Sequence, residues 1–281
     1  MTVTGPASLP KPLAQPGPWN AVASGYDEVS RKFMEEFSIE GIRLLTDGRG
    51  LNPSCRLLDV ACGPGTTSLL YADQVGSIDA VDFSDEMLSI FAGHLLTKNF
   101  GNITLHHCDG QELPFNAGSF DYALSMFGLM FFPDRVRGML EMFRVLAPGG
   151  KVLIASWAPL ARSSALTALF EAVRAIDPTR PAATADVTSL ENPEVFRSEL
   201  TIAGFSNIEI HEVERHMEFD SSDEFWDTMA KGAVPLVMMR KQLGETAFEQ
   251  KSALAKEHLR GLIGDRRKLS SIAFLAVAEK A

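Results

Sequence analysis

The sequence predicts a doubly wound α/β fold carrying a helical cap, and three observations lead there. Short apolar runs alternate with amphipathic stretches between residues 55 and 157, the rhythm of repeated strand–helix units and a parallel sheet covered on both faces. Acidic residues and glycines stand just after several of those runs, where ligands bind in such sheets. Past residue 158 the rhythm changes, and long helical stretches are set between two late strands.

Residues 1–18 carry five prolines and no apolar core, so they are expected to be a flexible leader rather than a signal peptide. Residues 19–50 are expected to form a helical lid, because Tyr26, Val29, Phe33 and Phe37 recur at helical spacing before the breaker run TDGRGLNPS. The core should span 51–157. CRLLDVA (55–61) is its first strand and TTSLLYADQV (66–75) the helix after it. SIDAVDF (77–83) is the second strand, followed by the helix SDEMLSIFAGHLLTK (84–98). Ser84 suits its N-cap, and Asp85 and Glu86 suit its first turn. NITLHHCD (102–109) and FDYALSMF (120–127) are the third and fourth strands. RVRGMLEMFRVLAPGG (135–150) is a helix closed by Pro-Gly-Gly, and KVLIASW (151–157) the fifth strand.

Residues 158–281 should complete the core and insert the cap, chiefly over 158–192 and 222–263. SSALTALFEAVRAI and NPEVFRSELTIAGF are helical, DPTRPAATADVTS between them is a loop, SNIEIHEVERHMEF is a long strand, and SSIAFLAVAEK (270–280) is a final strand.

Composition narrows the function. Of 281 residues, 46% are apolar and 22% charged, ordinary for a chain with a full core. A net charge of -10 repels phosphate backbones, so no nucleic-acid partner is expected. No apolar run approaches the roughly 18 residues of a membrane span. Cys55, Cys62 and Cys108 are too few and too scattered for a disulfide framework or a zinc site, and no metal is expected. Reduced thiols suit a cytoplasmic protein.

The strand ends form one constellation. Asp59 closes the first strand, and Ala61, Cys62, Gly63, Pro64 and Gly65 turn the chain into the next helix. Asp82 closes the second strand, where a carboxylate accepts hydrogen bonds from a ribose diol. Asp109 closes the third, with Gly110 and Gln111 beside it. A nicotinamide site would want G-x-G-x-x-G and a pyrophosphate. Here only two glycines follow Asp59, whose charge repels a pyrophosphate and suits a cation.

These stretches resemble the class I methyltransferases that use S-adenosylmethionine (SAM), in particular the ubiquinone/menaquinone-biosynthesis and small-molecule group. LLDVACGPG resembles their first motif and VDFSDEML their acidic motif. CDGQELPFNAGSFD looks like the adenine-binding segment, and RVLAPGGKVLIASW like the entry to strand five. The resemblance covers about residues 20–157. It implies a Rossmann-like, seven-stranded, mostly parallel sheet with an antiparallel last strand. It also implies SAM as cofactor, with Asp59 toward the methionine amino group and Ala61, Cys62, Gly63 and Gly65 along methionine and ribose. Asp82 would bind the ribose hydroxyls, Phe83 and Met87 the adenine faces, and Asp109, Gly110 and Gln111 its edge. Met126 and Phe127 would flank the sulfonium, and Tyr26 would close over the methionine carboxylate.

The expected reaction is in-line methyl transfer from SAM to a small, partly apolar metabolite, which chiefly requires alignment. Candidate acceptor-pocket residues are Met130, Phe131, Trp157, His216, Trp226 and Met229, within a cap that also offers Phe225, Val237, Met238 and Met239. The run FGLMFFPD (127–134) suits a pocket wall and helix packing equally. His211 and His216 are the histidines to test as bases; no catalytic residue is assigned. Two other classes stay open: a SAM-binding protein that transfers no methyl group, and a nicotinamide oxidoreductase.

Overall fold

The computed structural model describes residues 12–179 and 190–281. Seven strands make one sheet: β1 (Arg56–Val60), β2 (Ser77–Asp82), β3 (Ile103–His107), β4 (Phe120–Met126), β5 (Leu146–Trp157), β6 (Ser206–Glu218) and β7 (Lys268–Glu279). Their order is β3-β2-β1-β4-β5-β7-β6. The first five run parallel, and β7 runs antiparallel to both β5 and β6. Strand order reverses between β1 and β4, which opens a crevice at their carboxyl ends.

Central strands read as unbroken apolar runs because both faces are covered. Leu57, Leu58, Asp59 and Val60 of β1 are all buried. The outer strand β6 is different. It carries Glu209, Glu212, Glu214, Arg215 and Glu218, and charge along an exposed edge discourages pairing with another chain.

The helices of the core are α2 (Thr66–Tyr71), α3 (Asp85–Lys98) and α4 (Arg135–Val145). Ser84 caps α3 by accepting a hydrogen bond from the Met87 amide at 3.2 Å. α2 is shorter than the expected helix over 66–75 and ends in a 3-10 turn, Ala72–Gln74. The helix expected over 135–150 ends at Val145. Leu146 is already extended (φ -69°, ψ 142°), and Pro148 biases Ala147 the same way. The LAPGG run is therefore the irregular start of β5, paired to β4 through a register shift between Phe120 and Tyr122.

A long helix, α1 (Pro16–Leu45), precedes the sheet. It begins inside the stretch expected as a flexible leader, after a 3-10 turn at Pro12–Ala14. Prolines at its first positions cost no backbone hydrogen bond and preset φ for a helix. The rest of that leader, residues 1–11, lies outside the described residues, as does most of the loop expected over 177–189.

Beyond β5 come α5 (Ser164–Ile176), α6 (Pro193–Ile202), α7 (Ser222–Gly232), α8 (Val234–Leu243) and α9 (Glu245–Ile263). The helical stretch 222–263 breaks twice, at Ala233 before Pro235 and at Gly244 (φ 78°). Helices α5, α7, α8 and α9 share a buried cluster of their own around Phe225, Trp226, Phe248 and Leu259, separate from the sheet's core. A third, small cluster joins α1, α3 and α8 through Val22, Ala23, Met87 and Val234. The cap thus has a core of its own, which takes in Leu269 of β7, and it packs on the sheet through α5 and on α1 through α7 and α8.

Candidate functional site

One cavity of about 630 Å³ opens at the carboxyl ends of β1, β2, β4 and β5, between the sheet, α1 and the cap. Its volume falls within the usual range for small-molecule sites.

The loop after β1 forms its floor. Ala61 (φ 57°) and Phe127 (φ 63°), just after β1 and β4, both adopt left-handed backbone. That conformation is costly for residues with a Cβ and clusters at binding sites. The Cys62 amide donates to Val81 O at 3.0 Å and ties this loop to β2.

Asp59 is 2% exposed. Ser68, on the first turns of α2, donates its hydroxyl to Asp59 Oδ2 at 2.6 Å. Burial pushes the Asp59 carboxyl up to about 6, against the Ser68 hydrogen bond, and the nearby Asp82 adds to the rise. Asp82 is also buried. Its Oδ2 accepts from the Gly63 amide at 2.8 Å and its Oδ1 from the Ser84 amide at 2.9 Å. The carboxylate thereby holds the two strand-end loops together, and each oxygen keeps a second lone pair. Burial raises its pKa while those backbone amides lower it. Tyr26 of α1 lies nearby, its phenol pushed up to about 12 by burial first and then by Asp82. Neither carboxylate meets an arginine or lysine among the described residues. Two buried acids in one cavity without such a partner are what a cationic ligand with hydroxyl donors would satisfy. The residues present therefore fit the adenosyl sulfonium that the sequence resemblance implies.

Asp109 uses Oδ1 to accept from the Gln111 amide at 2.8 Å, which closes its own turn. The Gln111 side chain in turn accepts from the Asp134 amide at 2.9 Å. Asp109, Gly110 and Gln111 line the cavity together with Phe83 and Met87. Ala61, Cys62, Gly63, Met126 and Phe127 line it too. Gly65 does not. A Cβ there would stand 2.4 Å from the Phe91 ring, and φ is +87°. This glycine lets α3 pack against the head of α2, a role in the fold that the sequence reading did not assign to it.

Of the candidate acceptor residues, Met130, Phe131, Trp157 and Met229 line the cavity. Trp226 does not: it is fully buried in the cap's own core. His216 does not either, since β6 is the outer strand and its ring lies 3.7 Å from Glu214 on the exposed edge. His211 sits likewise beside Glu209 at 3.1 Å. Phe225 and Met239 belong to the cap core, and Met238 is exposed.

Sequence reading missed several walls. Leu166 and Phe170, four apart on α5, face the cavity with Leu169, Met217 and Val234. The sequence reading placed a helix there but not the face it turns to the cavity. Trp19, the first residue of the expected lid, was not singled out; its indole N–H donates to Leu13 O at 2.9 Å, and its ring lies 5.1 Å from Phe131. Among the described residues no cluster of side chains suits a metal ion, and no helix is long and apolar enough to cross a membrane.

Residues 57–150 match a family model described as a methyltransferase domain. A ubiquinone/menaquinone biosynthesis C-methyltransferase of Geobacter sp. (strain M21) is 37% identical over 142 residues, 48% of this chain and 60% of that protein. A demethylmenaquinone methyltransferase of Staphylococcus aureus is 35% identical over 136 residues, 47% of this chain and 55% of that protein. The chain thus spans a little over half the length of these curated relatives. In fold it is similar to the YcgJ protein of Bacillus subtilis, with a TM-score of 0.58 at 18% identity, over 86% of this chain and 98% of that one.

Proposed function

We propose that this chain, whose residues 57–150 match a methyltransferase domain, transfers a methyl group from SAM to a small, partly apolar molecule. The observation that carries the reading is the pair of buried carboxylates, Asp59 and Asp82, facing one cavity whose other walls are apolar. When bound, SAM supplies a methyl group on a positively charged sulfur.

The residues divide the work. Asp82 accepts from the ribose hydroxyls while keeping its bonds to the Gly63 and Ser84 amides. Asp59 balances positive charge on the methionine portion. Phe83 and Met87 hold the adenine, and Asp109, Gly110 and Gln111 meet its edge. Tyr26 closes the site from α1. Met126 and Phe127, at the end of β4, flank the reacting carbon, and the strained backbone at Phe127 fixes that wall. The aromatic pair Phe127 and Trp157, with ring centroids 4.2 Å apart, excludes water from the acceptor side. Alignment in a dry cavity is what in-line displacement needs. The relatives named for quinone biosynthesis support an acceptor of similar size and polarity. The net charge of -10 supports a small molecule over a nucleic acid, and three free thiols suit the cytoplasm.

Incubation with methyl-labelled SAM and a fractionated metabolite extract tests the proposal. Label should appear in an apolar small-molecule fraction. Tight SAM binding with no labelled product in any fraction would leave a cofactor-binding protein without transfer.

A further inference from the structure

We propose that Ser271 is the polar anchor of the apolar end of the cavity. The molecule it holds there is neutral, largely apolar and carries a hydroxyl or carbonyl group. The proposal rests on the methyl-transfer reading only in naming that molecule the acceptor.

Ser271 lies near the start of β7, 3% exposed, and lines the cavity. It stands two residues before Ala273, which pairs with Trp157, and strand alternation puts Ser271 and Ala273 on one face. The other serines here are engaged. Ser163 accepts from the Ile272 amide at 2.9 Å, Ser164 accepts from the Ser270 amide at 2.8 Å, and the Ser164 and Ser270 hydroxyls lie 3.2 Å apart. The Ser271 hydroxyl has no partner among the described residues. The hydroxyl is open to the cavity, where water pairs with it until an entering ligand takes that place.

The walls around it define that ligand. Trp157, Leu169, Phe170, Met217 and Met229 offer apolar surface and no charge. A carboxylate or phosphate carried there would lose its hydration and gain no free cation, because Arg215, which faces Ser271 across the β6–β7 pairing, is already turned to Glu36 and Glu40 of α1 at 3.9 and 3.6 Å. The acids of the cavity, Asp59, Asp82 and Asp109, would repel it further. A hydroxyl both donates and accepts, so Ser271 suits an alcohol, a phenol or a carbonyl. Methionine walls adapt to several ring shapes. Selection therefore falls on the hydrogen bond, which rejects an analogue lacking it far more strongly than an apolar wall rejects an extra methylene.

Calorimetric titration of the full chain, loaded with S-adenosylhomocysteine, tests this with three probes: 2-naphthol, naphthalene and 2-naphthoate. 2-Naphthol should bind at least about tenfold more tightly than either of the others. In Ser271→Ala that advantage over naphthalene should vanish, while naphthalene and S-adenosylhomocysteine affinities and the melting temperature stay within error. The assignment is overturned if the variant keeps the preference, if naphthoate matches naphthol, or if no probe binds up to its solubility limit. Failure of S-adenosylhomocysteine to bind would instead refute the methyl-transfer reading. The three probes, titrated into the ligand-free chain, would still decide the role of Ser271.

Discussion

Asp59 shows how one residue joins stability to ligand choice. Its carboxyl titrates near 3.8 in the unfolded chain and about 6 in the folded one. Below the first value both states hold the proton, and nothing is lost. Between the two, the folded state holds a proton that the unfolded state has released, so stability falls as pH rises. Above about pH 6 the loss is complete, at most about 3 kcal/mol. Ligand-free Asp59→Asn is therefore expected to be about 1–2 kcal/mol more stable than the parent at pH 7.5, with the difference gone near pH 4. Urea unfolding at both pH values checks this; a variant less stable at pH 7.5 contradicts it. The same substitution should weaken a cationic ligand. A charge at the end of an apolar run made this residue legible in the sequence. The packing role of Gly65 was not legible, because the ring that fills its Cβ position comes from Phe91, and nothing local announces that contact. Ser271 was not legible at all, since its neighbours Ser163, Ser164 and Ser270 decide which hydroxyl is left over.

At the scale of elements, the crossing of α1 over α7 closes the cavity. Glycines set that crossing. A Cβ on Gly25 would lie 2.0 Å from the Lys231 carbonyl oxygen, and one on Gly232 would lie 2.5 Å from the Val29 side chain. Gly25→Ala must push the helices apart. It is expected to cost about 1–3 kcal/mol and to weaken S-adenosylhomocysteine binding. Gly93→Ala on α3 is the control, because nothing lies within 4 Å of the added carbon; that change should stabilise by about 0.5–1 kcal/mol. Denaturant unfolding of both variants gives the comparison, and equal effects would refute the crossing as the cause. Strand positions were readable because buried parallel strands are continuous apolar runs bounded by breakers. The helix end at Val145 was not, because LAPGG reads as a helix stop while sheet pairing with Phe120 draws Leu146 into β5. The cap was readable as helices but not as a packing arrangement. Trp226 and Phe225 look like pocket walls in sequence, yet they fill the cap's own core.

For the molecule as a whole, the design is a division of polarity within one cavity. Acids at the ends of β1, β2 and β3 gather on one side, and apolar side chains from β5, α5 and α7 on the other. Such a cavity suits a cationic cofactor beside an apolar partner, and the cap's separate core lets the second wall vary without disturbing the first. Calorimetric titration of S-adenosylhomocysteine into the parent chain and into Asp82→Ala, with NADH as the competing ligand, tests this most directly. Binding to the parent is expected, weakened in the variant by about 1.5–3 kcal/mol, roughly ten- to a hundred-and-fifty-fold, with no heat from NADH. Unchanged affinity in a folded Asp82→Ala, or binding of NADH in place of S-adenosylhomocysteine, would contradict it.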